Sequence, residues 1–462
     1  MTTTITRPDS VVRRLFTGLL PPEVREKSRF VWMSNFEAER FWADKNVAQL
    51  PKFSQPEDVA IVNRLEEMSL FLAEEPDILI LREQSDRGFL DYLSDLGYRL
   101  PTILAVNPEN KLSAIAEATL ANGQVCEQLS RASQNGSMAF FLPYAKTRLE
   151  EQIMEKTGLQ NVGPTAAVCE KINSKIYSRV LSNELGLRTI KGWECESFQA
   201  LEESFKIASA DLASGQKLVL KESMGVSGKG LYVAENERQA QQIISMLRRK
   251  DKAGVQFAFV LEHWVDKQRD INYQIFVSAS GKVELLAIKE IVAEKGVHMG
   301  HRFPPALSPS QLEAYEQAGQ AVGKRLFADG YVGVAGIDSI IDRDGEVYPV
   351  LEINARFNMS TYQLGLERLI PPGAKVIAKY YPLLLKEKLS FNYLTDLIGP
   401  SLYKRGSAGG GALIQNFATV NVNSDAGAAP FKGRLYVLLI GEDDDQLARL
   451  DRTMIEKLSM VQ

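Results

Sequence analysis

Two carboxylates, an amide and an arginine flank a short turn in the C-terminal half of the chain. Asp338 precedes the turn at residues 343–345, and Glu352, Asn354 and Arg356 follow it. The flanking runs read as strands, and the glycine that ends the turn suits a three-residue hairpin loop needing a positive φ there. Side chains alternate along a strand, so Glu352 and Asn354 share one face. The pattern predicts a β-hairpin that gathers oxygen ligands on one surface.

The register of this hairpin decides which side chains meet. If the residues on either side of the turn pair regularly, Asp338 lies opposite Val350 and diagonal to Glu352, roughly 7–8 Å away. Hard oxygen ligands of this kind suit Mg²⁺, which also binds substrate phosphates. We therefore expect a Mg²⁺ site formed by Asp338, Glu352 and Asn354. A solvated hairpin is the alternative, but polar residues at alternate positions of a buried-type strand argue against it.

A glycine-rich turn lies between two further strand-like runs, at residues 223–230. Gly225 and Gly228 allow close backbone approach, so successive N–H groups can bind an anion, with Ser227 and Lys229 adding a hydroxyl and a positive charge. The turn matches neither the Walker A motif nor the dinucleotide-binding G-x-G-x-x-G motif. It predicts a triphosphate-binding loop, with a purely structural turn as the alternative.

Composition limits the class of protein. The chain has 462 residues, 45% of them hydrophobic and 24% charged, with a net charge of -4 and a pI near 5.8. This size allows about two to four domains, and the absence of a basic stripe disfavours a nucleic-acid partner. No apolar run approaches the roughly 20 residues of a membrane span and no signal-peptide core is visible, so we expect a cytoplasmic protein without a membrane partner. Cys126, Cys169 and Cys195 lack metal or disulfide spacing and are interpreted as packing residues.

Strands and helices alternate through the first 150 residues, which predicts a small α/β layer with a parallel sheet. The strand-like runs there lie at residues 29–33, 78–81 and 102–106, with a long helix from about Pro56. Further along the chain we expect helices over 166–185 and 311–326, the second just before the hairpin, and strands over 419–422 and 434–440.

Four features follow one another along the chain: a strand that ends at Lys221, the glycine-rich hairpin, an apolar run that contains Glu262, and the hairpin from Asp338 to Arg356. Together and in this order they resemble the ATP-grasp superfamily. The resemblance covers residues 175–356. It implies two α+β lobes that hold ATP, transfer of the γ-phosphate to a carboxylate, and an acyl phosphate that a nucleophile, usually an amine, attacks. The implied cofactors are ATP and Mg²⁺, with Mn²⁺ as an alternative.

The resemblance also implies roles for individual residues. Lys289 reaches the γ-phosphate, and Arg356 steadies the transferring phosphoryl group and its acceptor. The metal ligands are Asp338, Glu352 and Asn354. The implied ATP-binding residues are Lys175 (with Lys171 as a competitor), Lys221, Gly225, Ser227, Gly228, Lys229, Glu262, His263, Trp264, Val265 and Asp270.

The segment 294–305 contains two of the three histidines and is expected to be a loop facing the acceptor site. Imidazole can donate or accept near neutral pH and arginine can clamp a carboxylate, so His301 and Arg302 suit an amino-acid-like substrate. A surface loop with incidental polar residues is the alternative.

A finer resemblance begins at residues 36–42, and is to the pre-ATP-grasp domain of pheganomycin-type peptide ligases and butirosin-type ligases. It implies α/β and α+β architecture in three parts: a pre-ATP-grasp domain (1–150), an ATP-grasp domain (151–388, with a lid over 187–262 and a metal-binding lobe over 263–388) and a small C-terminal domain (389–462). The implied activity is amide or peptide bond formation in specialised metabolism.

Two other functions stay open on sequence alone, namely a carboxylase of the biotin-carboxylase kind and a catalytically silent nucleotide-binding module. The intact set of metal-ligand types disfavours the silent module. The carboxylate and the amine are unspecified, and the amine is free, peptidic or carrier-bound. The oligomeric state is not fixed, and a homodimer stays open.

Overall fold

The computed structural model describes residues 10–42, 46–51, 55–134, 138–225, 230–294, 297–407, 409–425 and 429–461. These residues form three β-sheets of five, four and eight strands. Within them, no helix has both the length and the apolar character required to cross a bilayer.

The N-terminal part is a parallel α/β layer, as predicted. Its sheet has the order β3-β2-β1-β4-β5, and every pairing is parallel. The expected long helix from Pro56 is instead a short α-helix followed by a 3₁₀ helix over Arg64–Phe71, all of whose residues are buried. The elements are α1 Val11–Leu19, a 3₁₀ helix Pro22–Lys27, β1 Ser28–Met33, α2 Glu39–Trp42, α3 Pro56–Asn63, β2 Ile78–Leu81, α4 Arg87–Asp95, β3 Thr102–Ala105, α5 Ile115–Ala121, α6 Gly123–Ala132, β4 Met138–Pro143, α7 Arg148–Thr157 and β5 Gln160–Asn161.

The middle of the chain builds an antiparallel four-stranded sheet in the order β6-β9-β7-β8, here called the lid sheet. The helix expected over 166–185 is two helices, because Ser174 caps a new helix by accepting from the N–H of Tyr177. Helix α12 was not expected from the sequence. The elements are α8 Ala166–Ile172, α9 Lys175–Glu184, β6 Gly192–Cys195, α10 Phe198–Ile207, α11 Ser209–Ala213, β7 Leu218–Glu222, β8 Leu231–Ala234, α12 Glu237–Lys252 and β9 Phe259–His263.

The rest of the chain forms the eight-stranded sheet, in the order β14-β13-β10-β11-β12-β15-β17-β16. The expected strand over 434–440 lies within β17, whereas residues 419–422 form turns, so that strand prediction is wrong. The elements are β10 Lys267–Val277, β11 Val283–Glu294, β12 Val297–Phe303, α13 Pro309–Ala328, β13 Gly333–Asp342, β14 Val347–Asn354, α14 Met359–Leu364, a 3₁₀ helix Glu367–Leu369, β15 Lys375–Leu385, α15 Phe391–Ile398, a 3₁₀ helix Gly399–Ser401, β16 Gly411–Asn416, β17 Phe431–Gly441 and α16 Asp444–Ser459.

The largest apolar core lies between the N-terminal layer and the eight-stranded sheet. Phe16 of α1 packs edge-on against Phe276 and Phe357, with ring centroids 5.9 and 5.6 Å apart, and Trp32 and Leu438 belong to the same cluster. The three cysteines are buried free thiols, in agreement with a packing role. The sheet is continuous across the predicted boundary at 388/389, which stays a prediction.

The segment 46–51 belongs to the N-terminal part in sequence but packs on the lid sheet. Ala48 and Leu50 are 2% and 4% exposed and lie in the lid core. The backbone of Ala48 donates to Gln256 over 2.8 Å, and the N–H of Leu50 donates to Glu222 Oε1 over 2.5 Å. The lid core is therefore completed by residues that precede most of the N-terminal sheet.

We predict that Leu438→Ala destabilises the N-terminal layer as well as the C-terminal strands. Leu438 is fully buried at the centre of β17, so its truncation costs about 2–5 kcal/mol. All four tryptophans, namely Trp32, Trp42, Trp193 and Trp264, lie outside residues 389–462. Urea unfolding followed by tryptophan fluorescence should therefore shift to a lower midpoint.

The matched control is Leu384→Ala on the neighbouring strand β15, where the side chain is 47% exposed. Its effect should stay within about 0.5 kcal/mol. An unchanged fluorescence transition in Leu438→Ala would show that the C-terminal strands unfold independently of the rest.

Candidate functional site

The turn of the hairpin follows the prediction. Gly345 has φ of +83°, and the Asp342 carboxylate accepts from the N–H groups of Asp344 and Glu346 over 3.0 and 2.9 Å. The short polar side chain of Asp342 therefore stabilises the reversal before the glycine completes it.

The register beyond the turn differs from the prediction. Asp338 lies directly opposite Glu352, so its expected position opposite Val350 is wrong. The pairing shifts between Asp338 and Ile340, in the part of the hairpin where Pro349 lies on β14. Proline has no N–H to continue the ladder, and such irregularities are typical of β-bulges. The shift brings the two carboxylates onto directly paired positions, whose Cβ atoms are roughly 4.5–5.5 Å apart.

Asp338 is held by two amides. Asn272 Nδ2 donates to its Oδ1 over 2.7 Å, and Asn354 Nδ2 donates to its Oδ2 over 3.1 Å. Burial and the neighbouring Glu352 raise the pKa of Asp338 to about 6, although both amide hydrogen bonds lower it. Asp338 is thus a buried carboxylate that lies directly opposite a second one.

Asn272 was missed in the sequence, although a signal for it existed. Polar residues occupy alternate positions of β10 at Asp270, Asn272 and Gln274, within a strand that is otherwise largely apolar. Gln274 Nε2 donates to Asn358 Oδ1 over 2.6 Å, so these residues form one polar network beside Asp338. A period of two in polar residues predicts a polar face on a strand.

Lys175 connects the hairpin to the glycine-rich loop. It is the first residue of α9, and its Nζ donates to Glu352 Oε1 over 2.7 Å and to the carbonyl of Gly225 over 3.1 Å. Its backbone N–H donates to Ser223 over 2.9 Å. Residues 226–229 lie outside the described part of the chain, so the predicted contacts of Ser227, Gly228 and Lys229 stay predictions.

Arg356 extends from the hairpin to the N-terminal layer. Its Nη1 donates to the hydroxyl of Tyr144 over 2.7 Å, and its Nη2 donates to Asn354 Oδ1 over 2.8 Å and forms an ion pair with Glu39. Arg356 and Glu39 side chains are each 10% exposed. Among the described residues, the buried Nε of Arg356 has no hydrogen-bond partner. Glu39 and Tyr144 were not identified from the sequence, because each lies about 200 residues or more from the hairpin.

Lys221 and Glu262 form an ion pair on adjacent strands of the lid sheet, and Arg179 Nη1 approaches the same carboxylate at 3.7 Å. The backbone N–H groups of His263 and Trp264 donate to Lys191 and Lys217. These two backbone groups, on residues that the resemblance implies to bind ATP, are therefore already engaged within the protein.

The other residues predicted to contact the nucleotide lie at the end of lid strand β9 or soon after it. His263 Nε2 lies 3.1 Å from Asp211 Oδ2, and Trp264 is 42% exposed. Asp270 accepts from Lys267 Nζ over 2.6 Å, and the N–H of Lys267 donates to the carbonyl of Val265 over 3.0 Å. Their roles toward ATP stay predictions.

The segment that carries His301 and Arg302 is strand β12 and not the expected loop. It pairs with β11 on one side and with β15, more than 70 residues later, on the other, and this distant partner explains the difference. His301 is 5% exposed, and Arg302 forms an ion pair with Asp444 at 2.9 Å. The Arg302 guanidinium is thus directed to helix α16, and its expected role at the acceptor site stays a prediction.

Lys289 is 3% exposed and lies within the protein interior. Its Nζ donates to the carbonyl of Ser360 over 3.1 Å and to Gln363 Oε1 over 2.8 Å, and lies 4.5 Å from the centre of the Phe303 ring. Burial lowers its pKa to about 7. Reaching a phosphate requires this ammonium to exchange those partners.

The donor set of the hairpin fits a Mg²⁺ ion. Asp338, Glu352 and the oxygen of Asn354 are hard ligands, and Asp338 and Glu352 are a close pair of like charges that a divalent cation would neutralise. Among the described residues there is no group of three or more His, Cys, Asp or Glu side chains that could hold a metal. A small set of protein ligands is typical of Mg²⁺ sites that also use substrate phosphates and water.

Two stretches of the chain match known domain families. Residues 66–159 match the Pre ATP-grasp domain, and residues 181–360, which include the lid sheet and the hairpin, match the ATP-grasp domain. The chain therefore contains both domains of an ATP-grasp ligase. The predicted resemblance to the ATP-grasp superfamily, its pre-ATP-grasp domain included, is confirmed.

This ATP-grasp ligase is 29% identical, over 411 residues, to the butirosin acyl-carrier protein–L-glutamate ligase of Niallia circulans, covering 88% of this chain and 90% of that protein. It is 23% identical to biotin carboxylase 1 of Bacillus subtilis over 45% of each chain.

Solved structures agree on the fold. The biotin carboxylase of Campylobacter jejuni in complex with β,γ-ATP aligns with a TM-score of 0.55 at 14% identity, covering 94% of this chain and 91% of that one. An N5-carboxyaminoimidazole ribonucleotide synthetase in complex with ADP aligns with a TM-score of 0.53 at 11% identity, covering 94% and 97%. At such identities the likeness concerns the fold alone.

We predict that Asp338 makes the metal-free protein less stable as the pH rises from about 4 to 6. The folded protein keeps a proton on Asp338 up to about pH 6, whereas the unfolded chain releases it near 3.8, so folding binds a proton across this window. Relative to Asp338→Asn, the wild type should lose about 1–3 kcal/mol of unfolding free energy over this range.

The measurement is urea unfolding of both proteins in EDTA at several pH values between 4 and 8. The variant cannot titrate at this position, so the comparison removes the contributions of groups that do not interact with Asp338. A stability difference that is the same at every pH would contradict the prediction.

Proposed function

We propose that this enzyme activates a carboxylate of an amino acid with ATP, forming an acyl phosphate and ADP, and then transfers the acyl group to an amine with release of phosphate. The observation that carries this proposal is the direct pairing of Asp338 with Glu352, flanked by the cations Lys175 and Arg356. Such a site is suited to placing a triphosphate next to a second anion.

ATP would lie between the lid sheet and the hairpin. Lys221 on β7 and Lys175 at the start of α9 are the cations for its phosphates, and Gly225, where the glycine-rich segment begins, accepts from Lys175 Nζ. Trp264, at the end of the lid strand β9, offers an exposed aromatic face beside the base. The Lys221–Glu262 ion pair and the Lys175–Glu352 contact keep both ammonium groups paired until phosphates replace their partners.

Phosphoryl transfer to a carboxylate brings two anions together, so catalysis consists mainly of neutralisation and alignment. Asp338, Glu352 and Asn354 would hold Mg²⁺, which supplies charge neutralisation of the triphosphate. Arg356 presents its guanidinium to the acceptor carboxylate and to the phosphoryl group. The acceptor is already ionised at neutral pH, so this step needs no general base.

L-Glutamate is the first amino acid that we propose as a substrate. The relative from Niallia circulans is named for ligating L-glutamate to an acyl-carrier protein, and the similarity extends over most of both chains. We propose a related amide-forming reaction in specialised metabolism, with an amine acceptor that is free, peptidic or carrier-bound.

We predict that Glu352→Gln abolishes ADP release while the protein keeps its fold. The change removes one metal-binding charge and the salt-bridge partner of Lys175. Turnover should fall on the order of a hundredfold or more. The assay is coupled detection of ADP with Mg-ATP, pooled amino acids and hydroxylamine as a general nucleophile.

Glu346→Gln is the matched control, because it makes the same change in the same hairpin at a residue whose side chain is 52% exposed and pairs with Arg188 on the surface. Its turnover should equal that of the wild type. Full activity in Glu352→Gln would contradict the metal assignment, and AMP with pyrophosphate in place of ADP would contradict the acyl-phosphate mechanism.

A further inference from the structure

Arg356 contacts the N-terminal layer at the point where the strand order of the parallel sheet reverses. With the order β3-β2-β1-β4-β5, the chain builds outward from β1 on one side and from β4 on the other, so the switch point lies between β1 and β4. Ligands of open parallel sheets bind outside the carboxyl ends of the strands at this point. Glu39 follows β1 and Tyr144 follows β4, and both contact Arg356 there.

Two of the three nitrogen atoms of the Arg356 guanidinium already donate hydrogen bonds, and only one of their acceptors is charged. Nη1 is engaged by Tyr144 and by the carbonyl of Phe357 at 2.9 Å, and Nη2 is engaged by Asn354 and Glu39. Only Nε lacks a partner among the described residues. A carboxylate that binds bidentately to Nε and Nη2 must therefore replace one partner of Nη2, and Glu39 is the charged one.

Replacing Glu39 leaves a carboxylate that is 10% exposed, at an arginine that also binds Asn354, the residue that donates to Asp338. An unpaired charge in such a place is strongly unfavourable. An amino acid resolves this, because its carboxylate can take Arg356 while its ammonium pairs with the released Glu39. This pair of one carboxylate and one ammonium group adds no net charge to the site, and Arg356 and Glu39 each keep a partner.

We infer that Glu39 is a specificity-determining residue that binds the ammonium group of the amino-acid substrate, in exchange for its ion pair with Arg356. The inference rests on the proposed function and deepens it. This exchange selects amino acids over acids of the same length without an ammonium group. Phe36 and Tyr144, with ring centroids 4.6 Å apart, line the same end of the layer and add aromatic faces next to the cation.

The test compares L-glutamate with glutarate, which has the same carbon chain without the ammonium group. ADP release with hydroxylamine is measured for the wild type, Glu39→Gln and Tyr144→Phe. The wild type should prefer glutamate in kcat/KM by roughly ten- to a hundredfold, the size of one charge-assisted contact. Glu39→Gln should lose that preference, because the KM for glutamate rises when its ammonium group has no charged partner, and glutarate no longer leaves Glu39 as an unpaired charge.

Tyr144→Phe is the matched control, because it loosens Arg356 without removing a charge. It should lower kcat/KM for both acids by the same factor and so leave the preference intact. If Glu39→Gln also lowers both equally, Glu39 merely positions Arg356 and the inference is overturned. Wild-type preference for glutarate, or none, overturns it as well.

Binding is measured separately by thermal unfolding with each acid and Mg-ADP, so that folding and turnover are distinguished. Glutamate should stabilise the wild type more than glutarate does, and Glu39→Asp should keep part of the difference if Glu39→Gln is poorly folded. Equal stabilisation by both acids would overturn the inference even in an active enzyme. Selective binding of glutamate without any ADP release would instead contradict the proposed function and leave the recognition by Glu39 standing.

Discussion

Asp338 and Glu352 lie directly opposite each other in one hairpin, and the repulsion between these two carboxylates is the constraint around which the rest of the site is arranged. Their repulsion is moderated by amides from two strands and by one ammonium group, from Lys175. Burial, and then the neighbouring Glu352, raise the pKa of Asp338. A site with an unbalanced negative charge is unfavourable for an isolated protein and favourable for one that must attract a divalent cation.

The positively charged side chains beside these carboxylates, Lys175 and Arg356, come from different parts of the chain. Lys175 lies at the start of a helix that Ser174 caps, and its side chain also binds the carbonyl of Gly225. Arg356 is tied to the N-terminal layer through Glu39 and Tyr144. The hairpin belongs to the eight-stranded sheet. Through Lys175 and Arg356 it is also linked to the segment that follows lid strand β7 and to the N-terminal layer.

The sequence predicts the parts of the site that depend on local rules. The Gly345 turn, the strands around it and the ligand types on β14 follow from alternation and turn chemistry. The pairing of Asp338 could not be inferred from regular alternation, because Pro349 interrupts the ladder and shifts the strand. The segment with His301 reads as a loop until its partner β15 is known, and Glu39 enters the site only through tertiary packing. Local patterns thus identify ligands, whereas long-range packing decides what surrounds them.

The segment 46–51 has a bearing on how this protein can be divided. Its Ala48 and Leu50 fill the lid core, and Glu222, next to Lys221, accepts from the N–H of Leu50. A fragment that starts after the N-terminal layer would leave an apolar gap in the lid and a buried carboxylate without that donor. A chimera that joins this ATP-grasp domain to a foreign N-terminal domain must therefore carry residues 46–51 with the lid, because the unit of exchange is set by packing and not by position in the sequence.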